Sequence, residues 1–166
     1  MMPQRAVAAR AGLIYAGAGM LSSAAQLLQP SRISLDITAT DKNEAILEVA
    51  GIVRVDPDVQ DFGCFCQELL ARDELKSTAA GHGVAFPHAR TDAVRDIVIA
   101  AGRSNEGVRF GEEVVHFIFV IGTPREKVSD YLVAVGTLAR LLRAEKIRTA
   151  LIKATTPEEF IRALDR

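Results

Sequence analysis

The feature that most constrains the fold of this chain is the stretch at positions 81–90, which reads GHGVAFPHAR. Its short apolar run, from Val84 to Phe86, lies between two glycines and a proline, which is typical of a buried strand bounded by turn residues. Pro87 has no N–H group and cannot continue the ladder of a sheet, so the strand is predicted to stop there. His88 is then predicted to lie at the mouth of the strand, where its side chain can face solvent or a partner.

A histidine that is exposed and held in one orientation can accept and donate a transferable group, because imidazole is neutral and nucleophilic near pH 7. His88 is therefore the candidate nucleophile. The alternative is a histidine that merely ends a strand. A hydrolase that uses His88 as its base is a third interpretation, but no serine or cysteine nucleophile with a partner carboxylate stands out in the sequence.

The pattern along the chain predicts alternating strands and helices. Apolar residues at helical spacing predict helices over residues 42–53, 58–72, 127–143, 144–153 and 157–165. Shorter apolar runs predict strands over residues 33–37, 84–86, 97–103 and 114–121. The last two strands are nearly continuous apolar runs, as expected of strands covered on both faces. The predicted fold class is α/β, a single domain with one mixed β-sheet sandwiched between helical layers.

Composition excludes several classes of protein. The 166 residues are enough for one domain with a hydrophobic core, and the formal net charge of −1 gives no electrostatic footprint for nucleic acid. No segment is long enough to span a membrane, so direct membrane insertion is not expected. Cys64 and Cys66 are too close in sequence for an unstrained bridge and are predicted to be free thiols in a reducing cytoplasm. The three histidines are not spaced as zinc ligands.

The first nineteen residues have a different composition from the rest. Arg5 and Arg10 precede a stretch rich in alanine and glycine, which admits three interpretations: a disordered or loosely helical extension, a start codon upstream of a true start at Met20, or a weak secretory signal. We expect residues 1–19 to be an extension and residues 20–166 to form the domain.

Two neighbouring motifs identify a family. Residues 72–78 read RDELKST and residues 81–88 read GHGVAFPH. Together they resemble the active-site signature of phosphotransferase-system enzyme IIA domains of the fructose/mannitol type, a group that includes the nitrogen-regulatory branch. The stretches 39–45, 106–111 and 115–119 agree as well, and the resemblance runs from about Ser22 to the C-terminus.

The resemblance implies both a fold and a function. It implies an α/β sandwich that works in the cytoplasm, with Nε2 of His88 as the phosphoryl acceptor and no cofactor. The phosphoryl donor would be the phosphocarrier protein HPr or its nitrogen-type counterpart. The acceptor would be a IIB domain with a sugar permease downstream, or the phosphorylation would act as a regulatory signal on other proteins.

Several further residues are expected around the phosphoryl group. Arg72 matches the signature arginine, and a guanidinium can meet phosphoryl oxygens with two parallel hydrogen bonds. Ser77 and Thr78 could add hydroxyl donors or could equally cap a turn. Gly81 and Gly83 could let the backbone pass close to the phosphate, or could only permit a turn.

The sequence also departs from the family pattern. Lys76 stands where the family usually has glycine. Separately, His116 lies within an apolar strand and is expected to be a half-buried histidine whose hydrogen bonds are satisfied. Tyr131 aligns where enzyme IIA domains often carry a second active-site histidine. A tyrosine can donate its O–H to a phosphate oxygen but cannot become a cation, so it leaves the nucleophile chemistry possible, while the transfer rate and the cognate partner could differ from those of the family. A purely structural tyrosine and a regulatory binding module with little transfer activity are the alternatives.

Overall fold

The computed structural model describes residues 27–165, and the predicted extension over residues 1–19 and the predicted boundary at Met20 lie outside this range. A short 3₁₀ turn, Pro30–Arg32, comes first among the described elements. The described part of the chain then contains five α-helices, which are α1 (Lys42–Gly51), α2 (Phe62–Leu75), α3 (Val128–Leu141), α4 (Glu145–Lys153) and α5 (Pro157–Leu164).

The sheet is mixed, as predicted, but it has five strands where the sequence predicted four. The strands are β1 (Ile33–Ser34), β2 (Val84–Ala85), β3 (His88–Arg90), β4 (Val98–Phe110) and β5 (Glu113–Thr123), and β3 is the additional one. The strand order is β1-β4-β5-β2, and β3 also pairs with β5, further along the same edge. Strands β4 and β5 are antiparallel, whereas β1 is parallel to β4 and both β2 and β3 are parallel to β5.

Both faces of the sheet are covered by helices, which confirms the predicted layers. Along β5, Phe119 and Ile121 belong to the apolar cluster that contains residues of α3, α4 and α5. The alternate residues Ile118 and Val120 belong to a second cluster with residues of α1 and α2. Successive side chains of a strand point to opposite faces, so β5 is buried between the two helical layers.

Helix α2 lies unusually close to the end of β5. A Cβ atom at Gly122 would come within 2.8 Å of Cε1 of Phe65 on α2. Only glycine leaves room for this approach. Gly122 is the register partner of Ala89 on β3, so α2 is held directly over the end of the sheet where β3 and β5 lie side by side.

The structure corrects several predicted boundaries. Strand β1 ends at Ser34 rather than at residue 37. Strand β4 continues to Phe110 rather than ending at residue 103, because residues 108–110 pair with β5 again beyond a register shift.

Helix α2 begins at Phe62 rather than near residue 58, because the backbone N–H groups of Gln60 and Asp61 are bonded to the carbonyl of Ala93. The Asp61 side chain then caps the helix by accepting a hydrogen bond from the N–H of Cys64. Helix α1 begins as predicted, with Asp41 as its cap.

A further correction concerns His88, which is the first residue of a strand. Pro87 interrupts the ladder, as predicted, but pairing resumes at once in β3, where His88 is the register partner of Ile121. The carbonyl of Pro87 still accepts a hydrogen bond from the N–H of Ile121. The proline thus removes one donor without turning the chain away from β5.

Two further features bear on the sequence predictions. Both cysteines are free, as predicted. Among residues 27–165, no helix has the combined length and apolar character that crossing a membrane requires.

Candidate active site

The ring of His88 is fixed by its own backbone. Its Nδ1 atom lies 2.8 Å from the carbonyl oxygen of Phe86. A carbonyl oxygen can only accept a hydrogen bond, so Nδ1 is the protonated nitrogen of the neutral ring. The lone pair then resides on Nε2, which is the atom free to react.

The environment of His88 keeps the imidazole neutral. The residue is half-buried, and burial is the main cause that lowers the pKa of His88 below its usual value of 6.5. The hydrogen bond to Phe86 opposes this shift, and the positive charges of Arg72 and Arg90 add to it. A neutral imidazole at pH 7 is the form that can act as a nucleophile.

His88 opens into a surface cavity of about 630 Å³. Its polar lining consists of Glu68, Arg72, His88, Arg90, Arg125 and Tyr131, and its apolar lining consists of Ala71, Leu75, Ala89, Val128 and Leu132. Three guanidinium groups and one carboxylate therefore surround the histidine. Such a cavity suits a small dianion better than a cation.

Arg72 lies in the last turn of α2, and its Nη1 donates a hydrogen bond of 3.1 Å to the carbonyl oxygen of Lys76. That hydrogen bond keeps the Arg72 guanidinium at the end of α2 and leaves its other N–H groups available as donors. Lys76, where the family usually has glycine, has a φ of −161°. This is extended backbone that any residue adopts, so the lysine is accommodated without strain.

Tyr131 is brought beside His88 by the first turn of α3. The two ring centroids are 4.9 Å apart and the planes are tilted by 36°. Burial raises the pKa of the Tyr131 hydroxyl, and the charges of Arg72 and Arg90 partly oppose the shift. The phenol therefore stays protonated at neutral pH and keeps a hydrogen to donate.

Thr78 is hydrogen-bonded to a buried carboxylate. Its N–H and its hydroxyl both donate to Oδ1 of Asp73, at 3.1 and 2.7 Å. The other oxygen of Asp73 lies 2.7 Å from Nζ of Lys42, and the Asp73 side chain is wholly buried. The hydroxyl hydrogen of Thr78 is thus engaged inside the protein. The exposed Ser77 accepts a hydrogen bond from the N–H of Ala79, at 3.3 Å, which favours the turn-capping alternative for Ser77. The Thr78 hydroxyl caps no turn, because it is bonded to Asp73.

Gly81 and Gly83 form a turn at the opposite end of β2 from His88. Their φ values are +83° and +74°, which favour glycine. The carbonyl of Gly83 accepts from the N–H groups of His116 and Phe117. His88 pairs with β5 further along at Ile121, after about 16 Å of chain at the usual rise of a strand. Neither glycine lines the cavity, and the turn alternative is the one that the geometry favours.

The other two histidines lie elsewhere. His116, in β5, is half-buried, and its Nδ1 is 2.9 Å from the carbonyl oxygen of Ser104, which confirms the prediction of a satisfied histidine. His82 is exposed in the glycine turn. Among the described residues, His88 is the one histidine that lines the cavity.

Sequence patterns missed Glu68 and Arg125 as members of the site. Glu68 lies one helical turn before Arg72 on α2 and shares its face. Arg125 follows the end of β5 by two residues, and Thr123 at that end is the register partner of Arg90. The carboxyl ends of parallel strands meet at one edge of a sheet, which is the signal that could have brought Arg125 to the site.

Comparison with known proteins agrees with this geometry. The sequence model described as "Phosphoenolpyruvate-dependent sugar phosphotransferase system, EIIA 2" matches residues 26–166. A fructose-specific EIIA component from Haloferax volcanii is 30% identical over 129 residues, which cover 76% of this chain and 84% of that protein. A fructose-specific EIIABC component from Bacillus subtilis is also 30% identical over 139 residues, but the chain spans only 22% of its length.

The fold is shared with solved structures of the same family. The crystal structure of nitrogen regulatory protein IIA-Ntr from Neisseria meningitidis has a TM-score of 0.77 and 27% identity, and the match covers 84% of this chain and 97% of that one. Sequence and structure therefore agree that this chain belongs to the EIIA 2 family of the phosphoenolpyruvate-dependent sugar phosphotransferase system.

Proposed function

We propose that this chain is a cytoplasmic phosphoryl carrier that accepts a phosphoryl group on Nε2 of His88. The phosphoryl donor is the phosphocarrier protein HPr or its nitrogen-type counterpart. One observation carries the proposal: the hydrogen bond from Nδ1 of His88 to the carbonyl of Phe86 leaves the reactive nitrogen facing a cavity lined by three arginines. This arrangement orients a nucleophile and provides positive charge where a phosphoryl dianion would form.

The transfer is a single displacement at phosphorus. The lone pair of Nε2 of His88 forms a new N–P bond as the N–P bond of the donor phosphohistidine breaks, and the electron pair of the broken bond returns to the donor's ring nitrogen. The His88 ring then has a hydrogen on Nδ1 and a phosphoryl group on Nε2, so it gains imidazolium character. The carbonyl of Phe86 stabilises that developing positive charge, because its hydrogen bond with Nδ1 becomes charge-assisted.

The rim of the cavity suits a protein partner. Leu75 and Leu132 line the cavity and are 84% and 61% exposed. Exposed apolar side chains with polar residues around them are typical of a protein interaction site. We infer that the donor protein and the acceptor dock here in turn. The acceptor is a IIB domain in sugar uptake, or the phosphorylated form acts on regulatory targets, in line with the fructose-specific and nitrogen-regulatory relatives described above.

A second candidate is a regulatory binding module with little transfer activity. Its support is Tyr131, which stands where the family often has a second histidine and which contacts the His88 ring. A phenol cannot carry the positive charge that an imidazolium would place beside the phosphoryl group. In that case the same face would bind partners without accepting the phosphoryl group.

One experiment separates the two candidates. The purified protein is incubated with phosphoenolpyruvate, enzyme I and HPr, and its intact mass is measured. A carrier gains the mass of one phosphoryl group, which is lost in acid, and gains nothing when HPr is omitted. A chain that stays unmodified with both HPr and its nitrogen-type counterpart would contradict the carrier and favour the binding module.

A further inference from the structure

We infer that Arg125 is a second phosphoryl-binding residue, held by Glu68 and Asp92 while His88 is unmodified and released to the phosphoryl group when His88 is charged. The inference rests on the proposed carrier function and deepens it. It assigns a role to the loop between β5 and α3, which the family signature around His88 does not include.

The position of Arg125 makes such contact feasible. It lines the same cavity as His88 and Arg72, and it comes from a different element than Arg72, because Arg72 lies in α2 and Arg125 follows the end of β5. An arginine side chain is long and pivots freely, so a guanidinium on the cavity wall can reach a group that enters the cavity.

The contacts that hold Arg125 are weak. Its Nη2 lies 3.7 Å from Oε1 of Glu68, and its Nε lies 3.5 Å from Oδ2 of Asp92. Charge-assisted hydrogen bonds are usually about 2.7–2.9 Å long. The Arg125 side chain is 60% exposed and that of Asp92 is 84% exposed, so water competes with this ion pair.

The Glu68 carboxylate contacts the Arg125 guanidinium through only one of its two oxygens. Its second oxygen, Oε2, is buried and has no hydrogen-bond partner among the described residues. A planar guanidinium binds a carboxylate most strongly through two parallel hydrogen bonds, which this pair does not make. Arg125 is therefore an arginine with unused donors beside a site that would gain a dianion.

The charges favour an exchange of partners. A phosphoryl group on His88 would bring a charge of roughly −2 and three acceptor oxygens into the cavity. One donor of Arg72 is already used by the carbonyl of Lys76. Arg125 can offer the phosphoryl oxygens the parallel pair of hydrogen bonds that Glu68 does not receive. The two contacts that it gives up are long, at 3.7 and 3.5 Å.

The test measures how the phosphoryl group partitions between phosphorylated HPr and this protein at equilibrium. Arg125→Gln should lower the phosphorylated fraction, with the equilibrium constant falling about tenfold for a lost charge-assisted hydrogen bond. Asp92→Asn frees Arg125 and should raise the same constant. The double variant should match Arg125→Gln, because Asp92 acts through Arg125. Arg109→Gln, an exposed arginine outside the cavity, is the matched control and should change nothing.

The outcomes distinguish this inference from the proposed function. A wild-type protein that takes no phosphoryl group would overturn both. If the wild type is phosphorylated but Arg125→Gln partitions like the control, the role of Arg125 alone is wrong. Shifts of the same sign in Arg125→Gln and Asp92→Asn would also contradict it, since a merely structural ion pair would be lost equally from either side.

Discussion

The rings of His88 and Tyr131 lie in contact, with centroids 4.9 Å apart and planes tilted by 36°. The phenol therefore packs on the imidazole that is proposed to carry the phosphoryl group. Its hydroxyl stays protonated, since burial raises the pKa of Tyr131 and the nearby arginines only partly oppose the shift. Tyr131 can thus influence transfer in two ways, by packing against the ring and by donating a hydrogen bond.

Replacing Tyr131 by phenylalanine separates these two effects. The ring contact is retained, and the loss of one neutral hydrogen bond to the phosphoryl group should cost roughly 0.5–1.5 kcal/mol, or up to about tenfold in transfer rate. Tyr131→His should match or exceed the wild-type rate, because an imidazole can donate as well and can gain charge. Rates are measured with HPr as donor. Equal rates in all three proteins would show that Tyr131 is only structural.

Arg72→Lys tests the role of the guanidinium. Lysine keeps the charge but cannot form two parallel hydrogen bonds. A charge-assisted hydrogen bond contributes roughly 1.5–3 kcal/mol, so transfer to His88 should slow by about tenfold to a hundredfold. The melting temperature should stay close to that of the wild type, because Arg72 is only half-buried at the end of α2. An unchanged transfer rate would refute the assignment.

The pH dependence of transfer follows from the environment of His88. Burial lowers the pKa of His88 below 6.5, and the charges of Arg72 and Arg90 add to the shift. Only the neutral ring is a nucleophile, so the rate of phosphoryl acceptance should fall to half its maximum at a pH below 6.5. An NMR titration of the His88 ring protons should give the same midpoint. A midpoint above 6.5 would contradict the lowered pKa of His88.

The fold class was predictable because its signals are local. The apolar runs over residues 97–103 and 114–121 predicted where β4 and β5 lie, and the helical spacing of apolar residues predicted the start of α1. The start of α2 was not predictable, because the carbonyl of Ala93, far along the chain, captures the N–H groups before it. The same limit applies to the position of His88, since β3 forms by pairing with β5, which is more than thirty residues away in the sequence.

The site was predictable to the extent that a motif marks it. His88 and Arg72 lie in the signature and meet in one cavity. Gly81 and Gly83 belong to the same motif, yet they lie at the far end of β2, because a continuous motif that includes an extended strand spans a long distance. Arg125 and Glu68 carry no motif and reach the cavity only through the register of β3 on β5 and the packing of α2.

The buried Asp73 should make stability depend on acid pH. Burial raises the pKa of Asp73, but hydrogen bonds from Lys42 and Thr78 outweigh it, so the pKa lies below the usual 3.8. The folded state is then stabilised by the ionised carboxylate above about pH 3.8, and that stabilisation is lost as the pH falls through the lower pKa of the folded state.

At pH 7 the free energy of unfolding of Asp73→Asn should therefore be lower than that of the wild type, by roughly 1.5–3 kcal/mol for the lost charged hydrogen bonds. The difference in the free energy of unfolding between the variant and the wild type should become smaller below about pH 4. Urea unfolding at several pH values measures both effects, with the exposed Glu112→Gln as control. A difference in unfolding free energy that stays constant from pH 7 to pH 3 would contradict the role of the ionised carboxylate.

The central claim is that His88 alone accepts the phosphoryl group, and intact-mass measurement of single histidine variants tests it most directly. After incubation with phosphoenolpyruvate, enzyme I and HPr, the wild type, His82→Asn and His116→Gln should each gain one acid-labile phosphoryl group. His88→Ala should gain none. A phosphoryl group that persists in His88→Ala, or that disappears in either of the other two variants, would contradict the claim.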